Sequence, residues 1–174
     1  VSLVGSGVAA TTSTIKNFQA LEVRTGTDVG VAADTTTVDA SLVGGLTSIL
    51  VRNEGQQQVL GVWTSSAEAA TVNLNKLSVA QAAGITVLHG TTGNNSTAGT
   101  TINATLATDA AADLVGVTLS KDLNTDQRFN LTVNAGNATT NKVESVTLTD
   151  SDNESNTVKL GNVAQHTGTI TLAG

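Results

Sequence analysis

The sequence predicts an all-β fold, a parallel β-helix or β-solenoid with about 28 residues per turn. Three observations support it: short runs in which apolar and polar residues alternate, an apolar triplet that recurs at constant spacing, and a composition almost free of aromatic residues. Alternation is the pattern of a strand with one buried face, and a constant spacing is typical of stacked repeats. A β-sandwich is the alternative, because it satisfies the alternation equally well.

The recurring triplet consists of apolar residues at positions zero, three and five. Its first three copies begin at Phe18, Leu46 and Leu74, which are evenly spaced at about 28 residues. Two further copies begin at Leu114 and Val143, at a spacing of about 29 residues. A period between about 20 and 50 residues is typical of units that bury their apolar face only against neighbouring units. The spacing therefore favours the β-solenoid over the sandwich.

The predicted strands are short and rich in β-branched residues, with Gly, Asn and Asp between them. Such runs end in turn-forming residues, as two or three strands per repeat would require. Residues 67–84 contain helix-forming stretches, but their Val, Asn and Thr content favours strand. The clearest runs are TVDASLV, ATVNLNKLSV, GITVLHG, RFNLTVNAG, ESVTLTD, NTVKLG and GTITLAG.

The composition excludes several classes of protein. Cysteine, methionine, tyrosine and proline are absent, and the aromatic residues are Phe18, Trp63 and Phe129. A core of Val, Leu, Ile and Ala without rings predicts thin, regular layers. The formal net charge of −6 and the scattered basic residues argue against a nucleic-acid partner. No apolar run approaches the length of about 18 residues that a membrane span needs, so we expect no membrane insertion.

One interval between the triplets is longer than the others. The step from Leu74 to Leu114 is one repeat plus about 12 residues. We place the excess in residues 89–101, HGTTGNNSTAGTT, as a loop insertion that protrudes from the stack. We expect residues 1–174 to be a single β-solenoid segment of a larger protein, because the chain begins at Val1 and ends on a strand-like run.

The densest acidic run predicts a metal site. Asp150, Asp152 and Glu154 occupy alternate positions in TDSDNES, and calcium binds several carboxylate and carbonyl oxygens. These three residues are therefore the candidate calcium ligands. The alternative is a solvated acidic turn between two strands. Asp122 and Asp126 form a second, sparser candidate.

No catalytic constellation and no cofactor-binding motif is found in the sequence. Asp109 and Asp113 form a further acidic pair, weaker than the two above. His89 and His166 are isolated, which is typical of surface histidines. Trp63 ends a strand-like run, and we expect it to pack at the edge of a repeat.

Asparagine is abundant, and Asn-x-Ser/Thr sequons occur repeatedly in the chain. In a residue composition of this kind, chance produces several such sequons. Stacked strands place equivalent side chains about 4.8 Å apart, where amides hydrogen-bond along the stack. We therefore expect asparagine ladders rather than glycosylation. The sequons begin at Asn94, Asn95, Asn103, Asn130, Asn137 and Asn153.

Three segments, Ile15 to Thr27, Thr37 to Gly55 and Lys142 to Val163, resemble the central repeats of bacterial surface-layer proteins. The resemblance is to the RTX-related group exported by type I secretion, and it covers most of the chain. It implies β-solenoid or β-sandwich walls in a two-dimensional lattice, commonly held together by calcium. The glycine-rich calcium nonapeptide GGxGxD of that group is absent, since Gly44 and Gly45 are followed by LTS.

The function expected from these features is structural. The chain would be an extracellular surface-layer segment, a homo-oligomer that self-assembles into a lattice on the bacterial cell surface and is not an enzyme. Contact with a cell-surface polysaccharide would involve other parts of the parent protein. The alternatives are an adhesin or passenger segment of a type I-secreted protein and a β-helical polysaccharide-active enzyme, whose paired carboxylates would meet only across repeats.

Overall fold

Strands account for nearly all the regular structure of this protein in a computed structural model. The structure describes residues 2–4, 15–25, 33–53, 56–59, 62–65, 69–89, 99–120, 130–136, 142–151, 156–162 and 166–174. The strands are β1 (Ser2–Val4), β2 (Ile15–Lys16), β3 (Ala20–Thr25), β4 (Ala33–Asp39), β5 (Val43–Gly44), β6 (Ser48–Asn53), β7 (Gln56–Val59), β8 (Val62–Ser65), β9 (Ala69–Leu77), β10 (Ile85–His89), β11 (Thr100–Leu106), β12 (Leu114–Ser120), β13 (Asn130–Ala135), β14 (Val143–Asp150), β15 (Thr157–Leu160) and β16 (His166–Ala173). A 3-10 turn, Ala40–Leu42, and one short helix, α1 (Val79–Ala82), interrupt them.

Two parallel sheets form the body of the fold. Sheet 1 has seven strands in the order β1-β3-β6-β10-β12-β14-β16, and sheet 2 has five in the order β4-β9-β11-β13-β15. Every neighbouring pair within these two sheets is parallel. The prediction of an all-β fold is confirmed. The parallel pairing differs from the antiparallel pairing that is typical of a β-sandwich, the alternative prediction.

From β3 onward the long strands alternate between the two sheets along the chain. Each strand of sheet 1 is followed by one of sheet 2, and the next return to sheet 1 adds a parallel neighbour. Parallel neighbours need a crossover connection, which is usually a helix. Here the crossover is a strand of the opposite sheet. The C-terminal ends of all strands of sheet 1 therefore lie on the same side of that sheet, and every connection that leaves it begins there.

The inward faces of both sheets contribute to one connected apolar core. In β11, positions 100, 102, 104 and 106 are buried and the residues between them are partly exposed, as strand alternation requires. The buried residues stack in register from strand to strand. One such column in sheet 1 consists of Leu21, Ile49, Ile85, Val117 and Leu148.

The register confirms the first step of the predicted period and contradicts the later ones. Leu21 lies beside Ile49, one predicted period further along the chain, but Ile49 lies beside Ile85, which is well beyond the next period. Val117 lies beside Leu148, whereas the triplets place it one period before Val146. A shift by an even number of positions leaves the same side chains on the inward face, so the apolar pattern did not reveal it.

The third triplet belongs to the other sheet. Leu74 pairs with Val38 of β4 in sheet 2, so it does not lie in the column of Ile49 in sheet 1. Leu74 and Leu77 are both buried although three positions apart, because a register shift in β9 inserts an extra residue between them. Lys76, at this irregularity, has a left-handed φ of 55°.

The predicted loop insertion, residues 89–101, lies largely outside the described residues. His89 is the last residue of β10, and Thr100 and Thr101 begin β11. The long interval that suggested the insertion joins a triplet of sheet 2 to a triplet of sheet 1. Its extra length is therefore not evidence for inserted residues. A longer connection, residues 54–68, joins β6 to β9 and contains the antiparallel pair β7 and β8.

Candidate functional surface

Of the predicted calcium ligands, only Asp150 lies within the described residues. It is the last residue of β14, and its Oδ1 accepts a hydrogen bond of 3.3 Å from Asn156 Nδ2. Asp152 and Glu154 lie outside the described residues, as do Asp122 and Asp126. Among the residues that the structure describes, no three His, Asp or Glu side chains come together at metal-binding distances.

The acidic pair Asp109 and Asp113 lies in the turn between β11 and β12, beside the start of β14. The Asp109 carboxylate accepts a hydrogen bond from Lys142 N at 3.1 Å. The Asp113 backbone N–H donates to Glu144 Oε2 at 3.0 Å, and Ala110 N donates to Asp113 Oδ2 at 2.8 Å. These bonds tie the turn to the next strand of sheet 1 and make the acidic residues part of its scaffold.

Asp113 is exceptional because its carboxylate is buried and only half satisfied. The residue is 1% exposed, and among the described residues its Oδ1 has no hydrogen-bond partner. An unpaired buried polar atom costs about 1–3 kcal/mol, and more when it is charged. In the sequence this aspartate belongs to the weakest of the acidic candidates. The neighbouring residues in the sequence do not distinguish a buried carboxylate from a solvated one.

For the two histidines and the tryptophan, the strand pairing gives the position of the backbone. His89 lies at the end of β10 and pairs with Asn53, whereas His166 begins β16 and pairs with Val143. Trp63 lies in β8 and pairs with Gln58. The three residues therefore lie in three different strands.

The last strands of the two sheets leave apolar side chains exposed. Ile170 and Leu172 continue the inward columns of Val146 and Leu148, yet they are 43% and 71% exposed. The reason is that no described strand of sheet 2 lies beyond β15 to cover them. We call this surface the open end. Its groove, of about 280 Å³, is lined by Leu148, Asp150, Val158, Leu172, Ala173 and Gly174.

The predicted asparagine ladder is present on the outer face of sheet 2. Asn103 Nδ2 donates to Asn73 Oδ1 at 2.7 Å, and Asn134 Nδ2 donates to Asn103 Oδ1 at 2.7 Å. At one end Asn73 Nδ2 donates to Thr37 Oγ1 at 3.1 Å, and at the other Asn162 N donates to Asn134 Oδ1 at 3.1 Å. The ladder thus connects all five strands of the sheet or their ends, and one of the sequons, at Asn103, lies within it.

Ion pairs lie at the opposite end of the stack from the open end. Glu22 Oε1 accepts hydrogen bonds of 3.0 Å from both Arg24 Nε and Arg52 Nε. Desolvation opposes ionisation of Glu22, but the two arginines outweigh it and lower the pKa of the carboxyl. Asp39 Oδ2 accepts from Lys76 Nζ at 2.6 Å, and this bond, with help from Ser41, lowers the pKa of Asp39.

Comparison with protein-family models, curated proteins and solved structures finds no match to this chain. Within the described residues, no helix has the length and apolar character of a membrane span.

Proposed function

We propose that the chain is a β-solenoid segment of a bacterial surface-layer protein, which self-assembles on the outside of the cell and has a structural, non-enzymatic role. The alternation of long strands between two parallel sheets supports the β-solenoid, with one strand of each sheet forming a turn of the coil. The resemblance of three segments to surface-layer repeats supports the role. The observation that carries the assembly is the open end.

The open end fits a further parallel turn of strands, which a second copy of the chain would supply when the segment is studied on its own. Both sheets are parallel throughout, so their strands run in the same direction at both ends of the stack. A second copy displaced along the stack therefore brings its β1 and β4 to face β16 and β15 in the orientation that parallel pairing needs. An unprotected edge strand is a template for such pairing, and head-to-tail contacts of this kind extend into open assemblies.

The apolar side chains of the open end supply a driving force. Full burial of a Leu or Ile side chain contributes about 1.5–3 kcal/mol. Leu172 is 71% exposed, so covering it is worth about 1–2 kcal/mol, and Ile170 at 43% exposed adds about 1 kcal/mol. Edge hydrogen bonds along β16 would add to this gain.

Calcium would act at the same end of the stack. Asp150 lines the groove of the open end, and Asp152 and Glu154 follow it directly in the sequence. Carboxylates at alternate positions offer oxygen ligands to a hard cation, with further ligands from a neighbouring copy. We therefore propose that calcium strengthens the contact between copies.

A pair of variants on one strand tests the assembly. Leu172→Lys places a charge on the inward face of β16, whereas Thr171→Lys places the same charge on the outward face of that strand. We expect the unmodified chain to form ordered assemblies by negative-stain electron microscopy, more readily with calcium. Leu172→Lys should abolish them and Thr171→Lys should leave them intact, with both variants unchanged in circular dichroism. A chain that stays monomeric in light scattering under every condition would contradict the proposal.

A further inference from the structure

The outer face of sheet 2 carries two straight columns of uncharged polar side chains. The strands β4, β9, β11 and β13 each present the pattern Thr-x-Thr or Thr-x-Asn at the same register, so equivalent residues are neighbours. The first column consists of Thr35, Thr71, Thr101 and Thr132. The second consists of Thr37, Asn73, Asn103 and Asn134.

Hydrogen bonds hold the second column in a fixed geometry. Each amide in the middle of the ladder uses one N–H and one oxygen lone pair within the column. An amide has two N–H donors and two oxygen lone pairs, so each keeps a donor and an acceptor for solvent. The side chains of both columns on β9, β11 and β13 are partly exposed. The face is thus a rigid array of accessible hydrogen-bonding groups.

Charged residues border the array and do not enter it on β9, β11 and β13: Lys159 of β15 follows Thr132 in the first column, and Asp39 of β4 lies two positions beyond Thr37. Residues 70–75, 100–106 and 130–135 contain no charged and no aromatic residue. Threonine adds a methyl group beside each hydroxyl, which lowers the cost of removing loosely held water. Sugar-binding platforms typically use aromatic rings, and nucleic acids need basic residues, so this face suits neither.

The strand spacing of the array is close to the second-neighbour distance in hydrogen-bonded water. Neighbouring strands lie about 4.7–4.9 Å apart, and alternate residues of one strand lie about 6.6 Å apart. In tetrahedral water with O–H···O distances of about 2.75 Å, second-neighbour oxygens are about 4.5 Å apart. Water bound to successive residues of a column therefore lies near the spacing of an ice lattice.

We propose that the outer face of sheet 2 is an ice-binding surface. Its ligand is crystalline water, which the threonine and asparagine columns hold through an ordered layer at the strand spacing. This function goes beyond surface-layer assembly and does not depend on the open end.

The test places a charge at the centre of the array. Thr101 lies between Thr71 and Thr132 in the first column, and Thr101→Lys interrupts it with a long, strongly hydrated side chain. Thr118→Lys is the matched control, since Thr118 lies between Thr86 and Thr149 on the outer face of sheet 1. Thermal unfolding followed by circular dichroism establishes that both variants fold like the unmodified chain.

Activity is read as thermal hysteresis, as inhibition of ice recrystallisation and as incorporation of the fluorescently labelled chain into a growing ice hemisphere. We expect the unmodified chain and Thr118→Lys to be active in all three and Thr101→Lys to lose most of the activity. Equal losses in both variants, or a folded chain without any ice activity, would overturn the proposal. Retention on crystalline cellulose without ice activity would overturn it in favour of a polysaccharide ligand.

Discussion

Interruption of the asparagine ladder gives a measurable loss of stability. Asn103 is the central amide, with one hydrogen bond of 2.7 Å to Asn73 and one of 2.7 Å from Asn134. Asn103→Ala removes both bonds while leaving the partners partly exposed to water. At about 0.5–1.5 kcal/mol net for each of the two bonds, the free energy of unfolding should fall by about 1–3 kcal/mol. For a chain of this length that is a decrease in Tm of about 2–12 °C.

A second substitution at the same position separates the two bonds. In Asn103→Asp the carboxylate still accepts from Asn134 Nδ2 but cannot donate to Asn73 Oδ1, so two oxygens face each other. We expect Asn103→Asp at neutral pH to be at least as destabilised as the alanine variant.

Urea unfolding followed by circular dichroism measures both variants. The matched control is Asn75→Ala, because within the described part of the chain Asn75 makes a single side-chain hydrogen bond, a long one of 3.4 Å from Thr105 Oγ1. The control should change stability by less than about 0.5 kcal/mol, as surface substitutions do. If Asn103→Ala falls within that same range, the ladder does not stabilise the stack and the reasoning is wrong.

Three further predictions concern the buried aspartate, an ion pair and a close backbone contact. Asp113→Ala should lower the free energy of unfolding by about 0.5–1.5 kcal/mol in the urea assay, because Ala110 N loses its acceptor; an unchanged urea midpoint would contradict this role of the carboxylate. Since Lys76 lowers the pKa of Asp39 below its usual 3.8, the pair stabilises the fold above that pH and the gain is lost as pH falls through the lowered value. Acid unfolding of Lys76→Gln should therefore begin from a lower stability at pH 7 and show a weaker pH dependence below about pH 4. Gly116→Ala would place a Cβ 2.7 Å from a backbone carbonyl oxygen, and a loss of about 1–3 kcal/mol is expected in the same urea assay.

Local patterns were sufficient where the structure depends on local geometry. Alternation predicted the strands and their inward residues, because successive side chains of any strand point to opposite faces. The asparagine ladder was predicted for a similar reason, since stacked parallel strands bring equivalent amides within hydrogen-bonding distance. The first step of the period, from Leu21 to Ile49, was also correct.

Local patterns did not predict which strands are neighbours in a sheet or in which register they pair. Both sheets bury the same alternating pattern of aliphatic residues, so the sequence did not reveal that Leu74 belongs to sheet 2. The connections differ in length, and an even shift in register keeps the inward face. The apparently constant period therefore did not reveal that the steps to Ile85 and to Leu148 are longer than predicted.

The sequence by itself determined that this protein is built of β-strands, which side chains of each strand turn inward, and that its asparagines stack. Only the tertiary structure decided which strands are neighbours, that Asp113 is buried, and that Leu172 is left uncovered at one end. The physical reason is that strand formation and alternation depend on residues a few positions apart. Burial and register depend on which distant segment packs against each face, and that choice is made by the assembled core.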